Sequence, residues 1–143
     1  MHGGNVASAT ACAWNTLCTN LSVTGVSESD LRLAIVSGDH QSIDASTSFS
    51  PVVLLATDPA GHPIAGAAIT IHQTVEPWSP PCSAQGRCPI APIFNSSVTT
   101  LITSLDGTAT LTPLDLAQAP EITRIAAVAG TQGFIASSLQ RHP

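Results

Sequence analysis

The chain has 143 residues, 43% of them hydrophobic and 9% charged, with a formal net charge of −5. Ordinary soluble domains carry about 25% charged residues, but this much apolar content supports a folded core and excludes disorder. Lysine is absent and Arg32, Arg87, Arg124 and Arg141 are scattered, so no basic patch exists for nucleic acid.

Residues 1–29 are rich in Ser, Thr, Asn and Ala, hold Cys12, Trp14 and Cys18, and show no sustained periodicity. They read as an N-terminal extension, with Val23–Ser29 as a connector to a domain at 30–143. A charged n-region followed by an apolar h-region is missing, so the chain is expected to be a mature or excised segment. No apolar run reaches the roughly 18–20 residues needed to span a bilayer.

Leu31–Val36 reads as the first strand, followed by the polar loop SGDHQSIDASTS. Phe49–Thr57 is continuously apolar, as in a strand interior to a sandwich, with Pro51 near its start or at an edge. Asp58, Pro59, Gly61, Pro63 and Gly66 then build a turn, so that Val52–Val75 reads as a strand–turn–strand hairpin signal. In Ala68–Val75, Ile69, Ile71 and Val75 point one way and Thr70, His72 and Thr74 the other. Residues 76–93 form a Pro-rich insertion, expected to be an irregular surface loop.

Val98–Thr103 is a strand, Leu105-Asp106-Gly107 a tight hairpin turn, and Thr108–Leu111 the returning strand with Ala109 and Leu111 inward. After a loop at Pro113–Pro120, in which Leu114–Ala119 makes one helical turn at most, Ile122–Ala129 and Phe134–Leu139 form a terminal hairpin around Gly130 and Gly133. Seven or eight short strands separated by regular turn signals specify an all-β, two-sheet antiparallel β-sandwich.

Cys12/Cys18 and Cys82/Cys88 form two C-x5-C pairs. Local disulfides, each closing a short loop, are the simplest reading and imply an oxidising compartment. One four-cysteine zinc site is the alternative, although five-residue gaps fit its usual C-x2-4-C spacing poorly. The histidines never occur at ligand spacing, and Asp39, His40 and Asp44 share a loop that could hold a cation but reads as a solvated loop, because metal sites need three or four convergent groups. No serine sits in a G-x-S-x-G elbow, and Glu28, Glu76 and Glu121 fall in connectors or loops. Trp78, Pro80, Pro81 and Ile90 could form a binding platform on the cysteine-pinned loop, or Trp78 could fold back over a sandwich edge; Trp14 faces the same choice. Asn20-Leu21-Ser22 and Asn95-Ser96-Ser97 match the N-glycosylation pattern by chance.

The order VSGDHQS, FSPVVLLATDPAGHPIAGAAITI, TSLDGTATLTPL and IAAVAGTQGF resembles the bacterial Ig-like domains (group 1) of invasin- and intimin-type surface adhesins, over about Leu31–Leu139. The resemblance makes Asp58, Gly61, Gly66, Asp106 and Gly107 structural turn residues and assigns no catalytic group. The chain departs from the family pattern at His40, at His62, where Asn is usual, and in the longer insertion at 76–93.

The expected function is a non-catalytic, extracellular or cell-surface module, a spacer or display unit of a bacterial surface protein, with no cofactor and no metal. Its partners would be neighbouring domains or identical subunits, with a host or glycan ligand. Two alternatives stand beside it. One is a self-assembling filament subunit that uses the N-terminal extension for strand addition. The other is an accessory, carbohydrate-binding domain of a secreted hydrolase.

Overall fold

The computed structural model describes residues 6–13, 17–78, 95–116 and 120–143, and within the first two strands the side chains of Thr10 and Cys18 alone. β1 (Val6–Ala13) and β2 (Leu17–Thr24) pair as a separate two-stranded sheet. One 3-10 turn, Glu28–Asp30, follows. The remaining strands are β3 (Arg32–Ser37), β4 (Ser42–Asp44), β5 (Val52–Thr57), β6 (Ala68–Pro77), β7 (Asn95–Ile102), β8 (Thr108–Leu111), β9 (Glu121–Ala129) and β10 (Gly133–His142). They form a five-stranded sheet, β4-β10-β9-β6-β7, and a three-stranded sheet, β3-β5-β8. Among the described residues every pairing is antiparallel except β4 with β10. β5 and β8 share one sheet, β6, β9 and β10 the other, and the first edge is divided between them as β3 and β4. This is the connectivity of an immunoglobulin-like sandwich.

The core lies between the sheets. Val52, Leu54 and Ala56 of β5 cluster with Ile69 and Ile71 of β6, Ile125 and Ala127 of β9 and Leu139 of β10, and Val75 of β6 is also fully buried. Full burial of each large aliphatic side chain contributes about 1.5–3 kcal/mol. The expected alternation in β6 holds, with His72 exposed on the outer face. Ala109 and Leu111 point inward, and the terminal hairpin forms as expected.

Several expectations are corrected. The Asp58–Gly66 and Leu105–Gly107 turns are not hairpins: each carries the chain from one sheet to the other, because β6 and β7 pair together while β5 and β8 pair opposite them. The Phe49–Thr57 strand begins only after Pro51, which has no N–H to give a ladder, and it alternates instead of being uniformly buried. The polar loop after β3 contains β4, whose three residues pair through backbone with Gln140–His142. Such pairing leaves no apolar pattern to detect. The 1–29 segment holds a hairpin in full register from Val6↔Thr24 to Ala13↔Leu17. Glu76 and Pro77 continue β6 into the region assigned to the insertion. The next strand starts at Asn95, earlier than expected.

The chain enters the sandwich at one pole, where Arg32 pairs with Thr57 beside the Asp58 turn. It leaves at the opposite pole, where His142 pairs with Asp44.

Candidate functional site

At the entry pole the two sheet-crossing turns interlock. Asp58 Oδ1 accepts from the amides of Ala60 (2.9 Å) and His62 (2.8 Å), and its Oδ2 lies 2.9 Å from His62 Nδ1. The His62 side-chain bond, followed by its amide, holds the Asp58 carboxyl below the ordinary carboxylate range. His62 thus supplies a ring donor to the turn carboxylate. Asp106 Oδ1 accepts from Ser104 Oγ (2.5 Å), Thr108 Oγ1 (2.7 Å) and the Thr108 amide (3.0 Å). These hydroxyls, Ser104 first, hold its pKa down to about 2. Buried Thr103 ties the turns together, donating through Oγ1 to Ile64 O (2.6 Å) and accepting from the Ala67 amide (2.9 Å). Gly107, at φ 76°, brings no side chain to this contact, and a Cβ there would meet Pro63 at 2.8 Å. The Asp58–Gly66 and Leu105–Gly107 turns are therefore one spatial unit.

At the exit pole sits a buried polar cluster. Arg141 is 1% exposed and Glu121 is fully buried. Arg141 Nη2 donates to Asp115 Oδ2 at 2.6 Å, its Nη1 lies 3.5 Å from Glu121 Oε1, and its guanidinium stands 5.3 Å from the Phe49 ring centre. The Glu121 carboxylate accepts from the Leu116 amide at 3.1 Å. Burial pushes the Glu121 carboxyl above its ordinary value, against the pull of that amide and of Arg141. Gln73 Oε1 accepts from the Leu114 amide (2.9 Å), and Thr123 Oγ1 donates to Leu114 O (3.0 Å). Immunoglobulin domains often fix this corner with a tyrosine hydroxyl. The chain has no tyrosine, and Thr123, Gln73 and Glu121 make the equivalent backbone bonds.

A shallow hollow of about 420 Å³ opens on the outer face of β6, β9 and β10. Its floor is low because Ala126 and Ala136 are directly paired and His72 pairs with Ala126 on the other side. His72, Thr74, Arg124 and Ser138 form its walls, with His40 at the rim. Arg124 Nε lies 3.4 Å from the Glu76 carboxylate, which leaves the hollow weakly polar.

Among the sequence candidates, Trp78 is half-buried, its ring edge-on to His142 at 6.3 Å, and its amide donates to Pro120 O at 3.0 Å. It therefore lies back against the end of β10. Trp14, Pro80, Pro81, Ile90, Cys82 and Cys88 lie outside the described residues. The β1–β2 register sets Cys12 opposite Cys18, and no described cysteine is free. Asp39 accepts from Ser137 Oγ at 2.6 Å, and His40 takes the left-handed backbone at φ 45°. Glu76 and Glu121 lie within strands, contrary to their reading as loop residues. The Arg141–Glu121 cluster escaped the sequence reading, although strand phase marks it. Glu121 is in step with inward Thr123 and Ile125, and Arg141 with inward Leu139.

No protein-family model and no curated protein sequence matches the chain. Among solved structures, the apo-form Calx CBD1 domain matches over 78% of this chain and 96% of that one, at 7% identity and a TM-score of 0.40. That identity is too low to transfer the role of any residue.

Proposed function

We propose that the chain is a non-catalytic immunoglobulin-like module working outside the cytoplasm, as a spacer or display unit of a bacterial surface protein. The placement of entry and exit at opposite poles carries this reading. Arg32 starts the sandwich beside the Asp58 turn, and His142 ends it beside Asp44. Modules built this way stack end to end, and each copy adds its full strand length to the reach of the parent chain.

Two further observations support it. Asp58, His62 and Asp106 at one pole hold turns, and Arg141 and Glu121 at the other hold the 112–116 segment, so these charged groups are used in building the module. Opposition of Cys12 and Cys18 across an antiparallel pair suits a disulfide made in an oxidising compartment. The carbohydrate-binding alternative rested on Trp78 or Trp14; the Trp78 ring is turned against His142, which does not favour its half of that reading, and Trp14 lies outside the described residues.

The test uses protein isolated from its own cells. Intact cells treated with an impermeant biotin reagent or external protease should yield labelled or cleaved protein. Non-reducing peptide mapping should then return a Cys12–Cys18 peptide and a Cys82–Cys88 peptide. Protein that is protected from both reagents and carries four free thiols would overturn the proposal.

A further inference from the structure

A β-sandwich with two open sheets has four edge strands, and exposed edges are templates for pairing unless something blunts them. Three edges here are blunted. β4 has three residues and β8 has four. β3 carries Arg32 and a register shift between Ile35 and Ser37. β7 differs: its eight residues, NSSVTTLI, contain no charge and no proline, and their register with β6 is unbroken from Asn95 to Ile102. Among the described residues β7 pairs with β6 alone.

The outer face of β7 is also unusual. Val98 is 64% exposed and Ile102 is 61% exposed. They share a face because side chains alternate along a strand, and they stand at equal distances on either side of Thr100. A strand with this symmetry complements itself. We infer that β7 is a homodimer edge: two copies pair antiparallel about a twofold axis at Thr100, joining their five-stranded sheets into one.

The register follows from the sequence. Thr100 opposes Thr100 of the second copy, and Val98 of each copy opposes Ile102 of the other. Such a contact is isologous, so each apolar pair occurs twice and the assembly closes at two. β-branched pairs and Thr–Thr pairs directly across an antiparallel ladder are favourable on this face. The absence of charge on β7 removes the repulsion that ordinarily keeps edges apart. A second copy is favoured over another protein because one strand supplies both halves of each apolar pair.

The test is analytical ultracentrifugation of the full chain up to millimolar concentration, with two variants. Wild type should approach twice the 14.6 kDa chain mass as concentration rises. Thr100→Lys sets two ammonium groups opposite each other and should sediment as monomer with an unchanged melting curve, since Thr100 is exposed. Thr100→Cys should crosslink to itself under mild oxidation, giving a reducible dimer band, while Val98→Cys alone should not. Wild type that stays monomeric throughout overturns the inference. So does a dimer that survives Thr100→Lys, or one that is lost only when residues 1–24 are removed, which would place the contact on the β1–β2 hairpin.

Discussion

Replacing Arg141 with methionine gives a sharp test of the exit-pole cluster. The guanidinium is 1% exposed and the Glu121 carboxylate fully buried, so the variant leaves Glu121 with the Leu116 amide but no cation. Breaking a buried pair from one side costs about 3–5 kcal/mol. For a chain of this size each kcal/mol is about 2–4 °C of melting temperature, so Tm should fall by roughly 6–20 °C at neutral pH. The sign of the pH dependence follows from Glu121, whose folded pKa is raised from 4.5 by burial. Stability linked to it is fully present below the unfolded value and is lost as pH rises through the folded one. Without Arg141 that pKa rises further, so the penalty should shrink as pH falls toward the ordinary carboxylate range. Adding Glu121→Gln should restore about half the loss, roughly 2 kcal/mol, because the amide oxygen still accepts from Leu116. Urea titrations followed by circular dichroism at several pH values measure all three. An Arg141→Met loss under about 1 kcal/mol at neutral pH, or one that does not change with pH, would refute the reasoning.

Three other outcomes are expected. Leu54→Ala, in the centre of β5 with no exposure, should lower stability by about 2–5 kcal/mol in the same titration. Gly107→Ala should cost at least about 1–2 kcal/mol from its left-handed φ alone, with more from the meeting with Pro63 and Ala56 O, and its melting temperature reports this. Asp106, with a folded pKa of about 2 against an ordinary 3.8, contributes stability above the unfolded value that is lost as pH falls through the folded one. The difference between wild type and Asp106→Ala should therefore narrow between about pH 4 and pH 2, read from urea midpoints.

Much of the sandwich was legible because half-buried strands write their phase into the sequence. β6 and β8 alternate, and their inward residues, Ile69, Ile71 and Val75 in one and Ala109 and Leu111 in the other, could be named in advance. The turns were legible as reversals but not as sheet crossings. Asp106-Gly107 reports a local backbone geometry, while the partner of each strand is set by contacts tens of residues away, such as Leu54 with Ala109. β4 was missed because three backbone-paired residues need no apolar pattern. β1 and β2 were missed because Val6–Ala13 and Leu17–Thr24 are rich in Ser, Thr and Ala and carry no sustained apolar period. The polar cluster was hidden by the habit of reading Glu and Arg as surface residues, although Glu121 and Arg141 are in phase with the core.

The short parallel pairing of β4 with β10 has a mechanical consequence. A pull between the two poles draws Ser42–Asp44 and Gln140–His142 lengthwise past one another. Their hydrogen bonds are then loaded together in shear, instead of being opened one after another as in a hairpin pulled from its free end. Resistance to force is a matter of unfolding rate, so these two short segments govern it more than their small share of the core would suggest. Ile43→Pro, which deletes one amide from that ladder, should lower the rupture force in single-molecule pulling by more than its effect on equilibrium stability. Equal proportional losses in both would count against a mechanical role for the β4–β10 clasp.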